Sequence, residues 1–453
     1  MALADDRTKP VPAPFISASA RFAAGADNPR AFLERCLEQL EAWEARIGAF
    51  VHLDIAGARA AADRASARWQ AGQPSSPIDG MPIGIKDIIE TVDMPTEMGS
   101  PLFAGWRSHK DAASVTALRT AGAVILGKTV TTEFAMLFPA GTRNPWDLAR
   151  TPGGSSSGSA AAVAAGIISA GLGTQVIGST LRPASFCGVV GYKPSVHALN
   201  RTGSHDYQSQ SCTGVIAATL ADGWQVAYEI AMRAGGDPGW PGLSGPATAP
   251  AARKPRRLAV IETAGWEGAA ADAKDCLRQA SERLTAQGVD VLTRHDHAIV
   301  DAVEPDLLDA FDLSMRLIDW EMRGFIRSCA DRDIDKLSPP VRERMARAET
   351  MTLADYRAAL TARAEIRAGY GELAADCDAC ITLAAPGAAP LGLQSTGNPV
   401  FNVPASLLGV PALSLPLLTV EGLPLGLQVM GFADRDAELF ATAAWLWDRL
   451  ATA

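Results

Sequence analysis

Two serines and a lysine carry the chemistry that this chain can do. Ser155 and Ser179 stand 24 positions apart, in Gly153-Gly154-Ser155-Ser156-Ser157-Gly158-Ser159 and Gly178-Ser179-Thr180-Leu181-Arg182-Pro183. Lys86 lies upstream in Gly84-Ile85-Lys86-Asp87. A serine hydroxyl is a poor nucleophile until a base removes its proton. A lysine can be that base once burial favours its neutral form. Such a set can transfer acyl groups without histidine or metal.

Competing readings of the same residues are weaker. A Ser/Gly run can be a flexible loop, but an alanine-rich, helix-forming run follows this one directly. A phosphate loop wants G-x-x-x-x-G-K-[ST], and no lysine sits there. Gly154-Ser155-Ser156-Ser157-Gly158 matches G-x-S-x-G around Ser156. A nucleophile elbow needs a strand before it, and Asn144 to Pro152 does not read as one. Lys128 ends a strand-like run and rivals Lys86 on bare pattern. Cys377 and Cys380 have C-x-x-C spacing without a second Cys/His pair, which reads as a buried strand edge. The histidines lack metal-ligand spacing, and His295-Asp296-His297 reads as a solvated loop. No metal or cofactor is called for.

The elements that must position these residues alternate. A helix is expected from Pro29 to Ile47, with Asn28 as its cap and Leu33, Leu37, Leu40, Trp43 and Ile47 on one face. A second follows Asp54 to about Gln70. Ile83 to Ile85 and Ala123 to Leu126 read as strands, Ala112 to Thr120 as a helix and Ser157 to Ala170 as a long alanine-rich helix. Gly171 to Ile177 and Gly188 to Tyr192 read as strands. A helix starts at Thr219. Residues 235–255 are a Gly/Pro/Ala-rich surface loop. Beyond it come a strand at Leu258–Ile261, a helix at Ala270–Gln287, and a charged helical stretch over 301–376 that reads as a cap or flank. Strands return at Ile381–Ala384, Pro411–Leu418 and Leu427–Met430, and Asp436 to Leu450 closes as a helix.

This alternation predicts an α/β/α sandwich: a central mixed, mostly parallel twisted sheet flanked by helices, plus a helical cap segment. One domain is expected over 1–453, its core at about 60–235 and 380–453. The chain has 453 residues, 48% apolar and 20% charged, and a formal net charge of -9. That balance gives no electrostatic footprint for nucleic acid or an anionic membrane. Met1 to Arg7 lacks a signal-peptide pattern, and no apolar run of about 18 residues suggests a membrane span. Seven scattered cysteines suit a reducing cytoplasm.

The chain resembles the amidase signature family. The matching segments are Gly80 to Asp87, Gly122 to Thr129 and Gly153 to Pro194, dense and in order, with Pro404 to Pro416 and Gly422 to Gln428 extending the match. The resemblance implies a Ser–cis-Ser–Lys triad. Ser179 is the expected nucleophile and Lys86 the base. Ser155, its preceding peptide bond cis, is the expected relay, and Ser156 is a decoy. The backbone N–H groups of Val176, Ile177, Gly178 and Ser179 are the expected oxyanion hole. Lys128 becomes structural, Asp87 supports the backbone near Lys86, and Arg182 holds the loop. Departures from the family pattern cluster beside the triad. Gln175 and Leu181 replace a usual aspartate and arginine, and Ile177 and Ser157 replace usual glycines.

The function implied is that of a hydrolase for the C–N bond of an amide, extending to a related ester or carbamate. The alternatives are a glutaminase-type A subunit of a tRNA-dependent amidotransferase and a catalytically silent binding protein on the same fold. The expected partner is a small molecule, with no nucleic acid and no membrane, and a homodimer would be unremarkable. Substrate contacts are expected from loops after Lys128 and from 386–401, with Met136, Gln394, Asn398 and Phe401 named, and Phe134, Leu137 and Phe138 as further apolar candidates.

Overall fold

The computed structural model describes residues 9–451, so the reading of Met1 to Arg7 falls outside it. Eleven strands form one sheet: β1 (Phe50–Leu53), β2 (Pro82–Lys86), β3 (Val124–Thr129), β4 (Ala170–Gln175), β5 (Val190–Lys193), β6 (Cys212–Ala217), β7 (Arg257–Val260), β8 (Asp290–Leu292), β9 (Ala379–Leu383), β10 (Ala412–Val420) and β11 (Leu423–Met430). Their order is β1-β3-β2-β4-β6-β5-β10-β11-β9-β7-β8. Helices flank the sheet. Among the described residues no helix is long and apolar enough to cross a membrane.

The sheet is mixed, but its balance differs from the mostly parallel expectation. β2 pairs parallel with β3 and β4, and β7 with β8 and β9. The other six pairings are antiparallel. The cause is local in the middle of the sheet. Glu421 (φ 55°) and Gly422 (φ 75°) close a two-residue turn between β10 and β11, and such a turn can only join antiparallel strands. β5 and β6 likewise run opposite to their neighbours. The parallel trio β3-β2-β4 remains, and it carries the chemistry.

Local signals explain the helices. Asn28 accepts from Ala31 N at 2.8 Å and Gly48 (φ 57°) closes the helix Pro29–Ile47. Asp54 accepts from Gly57 N at 2.9 Å and opens Ile55–Gln70. The alanine-rich helix is shorter than expected. It runs Ser157–Ala164, Gly166 (φ 72°) breaks it, and Ala170 already starts β4. Every residue of it is buried, so small side chains are needed on all faces. A Cβ on Gly158 would collide with Ala49 O and Val130 N, so only glycine lets the helix start against the ends of β1 and β3. The helix Leu181–Cys187 has no sequence expectation behind it, because it spans only two turns and begins inside the loop after β4.

The stretch 301–376 is helical as read, chiefly Ala298–Leu308, Ala310–Asp333, Pro339–Thr350 and Leu353–Glu372. It is more than a flank. Ile318 and Met322 of its longest helix, and Arg344 of the next, line the cavity beside Ser179.

Candidate active site

β2 and β4 run side by side and parallel, with Ile85 opposite Leu172. Their carboxyl ends therefore finish together, which is where open α/β sheets place ligands. Lys86 is the last residue of β2, and Thr174 lies near the end of β4. The Ser179 segment leaves β4 at that edge. The serine-rich segment is stitched to it by Ser156 N donating to Ser179 O at 3.3 Å.

Lys86 is fully buried. Its Nζ donates to Ser155 Oγ at 2.7 Å and to Thr174 Oγ1 at 2.7 Å. Burial pushes the amine down from 10.5 to about 7, while the nearby Asp206 carboxylate raises it. A lysine so placed is neutral in a large fraction of molecules near neutral pH, and can then accept a proton. The Gly154–Ser155 peptide bond is cis. Thr132 N donates to Ser155 O at 3.3 Å and fixes the residue from behind.

Ser179 lines a small cavity of about 30 Å³ with Phe134, Met136, Leu137, Val176, Ile177 and others. Among the described residues its hydroxyl makes no hydrogen bond, and the backbone N–H groups of Ile177, Gly178 and Ser179 have no protein acceptor. Backbone donors left unpaired at a buried site are uncommon. Three in succession beside a serine hydroxyl form a ready cradle for a developing negative charge.

The decoy and the rival lysine are otherwise engaged. Ser156 is fully buried, and its Oγ lies 3.4 Å from both Thr174 N and Thr174 O. Lys128 Nζ donates to Ile89 O at 2.8 Å and Thr96 Oγ1 at 2.6 Å, and lies 3.4 Å from Asp87 Oδ1. Asp87 also accepts from Glu97 N at 3.1 Å, so it braces the backbone following Lys86. Cys377 and Cys380 are buried free thiols, the latter in β9.

The residues expected to contact substrate divide. Met136, Phe134 and Leu137 line the inner cavity. Gln394 and Asn398 line an outer cleft of about 870 Å³, which shares Leu137 with the inner cavity. Phe401 lines neither and is wholly buried in the core. Phe138 is exposed.

Known proteins bear directly on this arrangement. The family model described as Amidase matches residues 31–440. The chain belongs to the amidase signature family. It is 35% identical to the A subunit of the glutamyl-tRNA(Gln) amidotransferase of Chloroflexus aggregans, covering 92% of both chains. It is 30% identical to the solved structure of an amidase, covering 96% of this chain and 100% of that one, with a TM-score of 0.82. The peptide amidase of Stenotrophomonas maltophilia is 25% identical, covers 99% and 98%, and has a TM-score of 0.80.

Against the amidase signature pattern, the substituted residues beside Ser179 make their own set of hydrogen bonds. Gln175 Oε1 accepts from Thr180 N and Leu181 N, each at 3.0 Å, and its amide donates to Ser406 Oγ at 3.1 Å. A neutral amide thus organises the turn after Ser179. Leu181 packs into the core with Ala405 and Ala412. Arg182 supplies a brace, its Nη2 donating to Gly154 O and its Nε to Thr396 O, both at 2.8 Å. Ile177 does not adopt a positive φ, so no strain arises there. Ser157 Oγ donates to Val130 O at 3.3 Å.

Sequence reasoning missed Thr174, Asp206, Gln208, Arg344 and the pair Ile318 and Met322. Thr174 had a signal: a hydroxyl near the end of the strand that precedes the Ser179 loop.

Proposed function

We propose that this chain is a serine amidohydrolase in which Ser179 attacks the carbonyl carbon of an amide, Ser155 relays the proton and Lys86 receives it. The observation that carries the reading is the buried Lys86 amine at 2.7 Å from Ser155 Oγ. In the first half-reaction the Ser179 Oγ–C bond forms while its proton passes through Ser155 to neutral Lys86. The carbonyl π electrons move to oxygen, and the N–H groups of Ile177, Gly178 and Ser179 receive that charge. Collapse re-forms the carbonyl and breaks the C–N bond, and the leaving nitrogen takes the proton back through Ser155. Water then repeats the sequence on the acyl-enzyme, releasing the acid and free Ser179. The same path serves an ester or carbamate. Thr174 holds Lys86 in line without taking part in proton transfer.

Replacing Ser179 with alanine tests the reading. Hydrolysis of simple amides should fall by at least ~10⁴-fold while the fold is kept, because loss of a nucleophile leaves only binding and oxyanion stabilisation. Wild-type rates in that variant would sink it.

A second reading rests on the 35%-identical relative, which is part of an amidotransferase. In that case this chain would release ammonia from an amide for use by a partner. Hydrolysis of aryl amides by the purified chain alone separates the two, since a dependent subunit stays silent without its partners.

A further inference from the structure

Three buried polar atoms around Ser179 have no protein partner: Arg182 Nη1, Asp206 Oδ2 and Gln208 Oε1. All three residues line the same cavity of about 30 Å³ as Ser179. Arg182 is 2% exposed, Asp206 2% and Gln208 5%. Buried polar atoms are nearly always paired, so three orphans around one cavity beside a nucleophile mark a ligand's hydrogen-bonding pattern.

Two of the orphans are the unused ends of side chains fixed elsewhere, and the third sits on an anchored stretch of backbone. Arg182 spends Nε and Nη2 on Thr396 and Gly154. Asp206 Oδ1 accepts from Ser211 Oγ at 2.9 Å. Gln208 is anchored through its backbone alone: its main-chain carbonyl accepts from Arg201 Nη1 at 2.9 Å, and the adjacent Ser209 N donates to Glu321 at 2.7 Å. The free atoms of Arg182 and Asp206 are therefore preorganised.

We infer that this cavity selects a short acyl arm ending in a neutral carbamoyl-type group, whose carbonyl oxygen meets Arg182 and whose N–H groups meet Asp206 and Gln208. The pattern of the free atoms fits a carbamoyl group: one donor, Arg182 Nη1, and two acceptors, Asp206 Oδ2 and Gln208 Oε1. Arg344 also lines the cavity, but its guanidinium is turned to Asp319 at 3.2 Å, a carboxylate it shares with Arg347. A carboxylate would satisfy Arg182 and face Asp206; an ammonium group would do the reverse. A methyl group would leave all three atoms unpaired. The volume admits two or so water-sized groups, so the arm is short. This inference rests on Ser179 being the nucleophile.

The test compares p-nitroanilides with arms of equal length ending in carbamoyl, carboxylate, ammonium, methyl or an α-amino acid group. The carbamoyl arm should exceed the methyl arm in kcat/KM by about 10²-fold or more, because sites built to hydrogen-bond reject analogues that cannot. Asp206→Leu combined with Gln208→Leu should collapse that ratio. If that variant does not fold, the wild-type panel decides alone. If wild type cleaves no anilide, the stand-alone hydrolase reading fails separately. Calorimetry on the Ser179→Ala protein, with succinamide against butyramide, then reads the cavity by itself. Equal or better turnover of any other arm, or succinamide binding no tighter than butyramide, overturns the inference.

Discussion

Lowering the pH should switch this enzyme off through a single lysine. Lys86 must be neutral to accept the proton, and burial brings it from 10.5 to about 7. At pH 7 an unperturbed lysine is neutral in roughly 3 × 10⁻⁴ of molecules, whereas one at about 7 is neutral in about half, a gain on the order of 10³-fold in competent enzyme. kcat/KM should therefore rise about tenfold from pH 6 to pH 8 and level off above. Asp206 is the carboxylate that raises Lys86, so Asp206→Asn should move the inflection below that of wild type. The same shift affects stability. The unfolded chain binds more protons than the folded one between about pH 7 and 10.5, so this group's cost is full below pH 7 and fades as pH rises across that window. Initial rates in overlapping buffers on a neutral substrate measure the first effect. A flat profile from pH 5.5 to 9, or an inflection near 10, would refute the assignment of Lys86 as the base.

Two further outcomes separate chemistry from support. Lys128→Met should lower the unfolding free energy by about 3–5 kcal/mol, since it strands the buried Asp87 carboxylate. Thermal denaturation at pH 7.5 reads that loss, and an unchanged midpoint contradicts the structural role. Gln175→Leu leaves the N–H groups of Thr180 and Leu181 without their acceptor. It should cost about 1–3 kcal/mol in stability and reduce kcat more than it raises KM, because the loop holding Ser179 loosens. Steady-state kinetics with chemical denaturation checks both.

How much of this was legible in the sequence depends on what each signal encodes. Periodicity reports burial, so the helix Pro29–Ile47 was readable to the residue from Asn28, Pro29 and its apolar face. Periodicity is silent on strand direction, so the sheet's antiparallel majority was hidden. The stretch from Ser157 to Ala170 read as one helix because alanine suits a helix and also a crowded strand; only Gly166 divides them. Lys86, Ser155 and Ser179 were singled out by motif and family resemblance, and the structure brings Lys86 within 2.7 Å of Ser155 and ties the segment of Ser155 to that of Ser179. Asp206 and Gln208 were not found, because their significance lies in a missing hydrogen bond. That property belongs to the folded site and has no sequence pattern. Phe401 was misplaced for the opposite reason: a phenylalanine in a loop reads the same whether it lines a pocket or fills the core.

The central claim is that Ser179 is the residue acylated during turnover. Incubating the purified chain with a fluorophosphonate and mapping the adduct by peptide mass spectrometry tests it most directly. The account predicts one adduct, on Ser179, absent from the Ser179→Ala protein and formed more slowly in Lys86→Ala. An adduct on Ser155 or Ser156, or amide hydrolysis that continues with Ser179 unmodified, would contradict it.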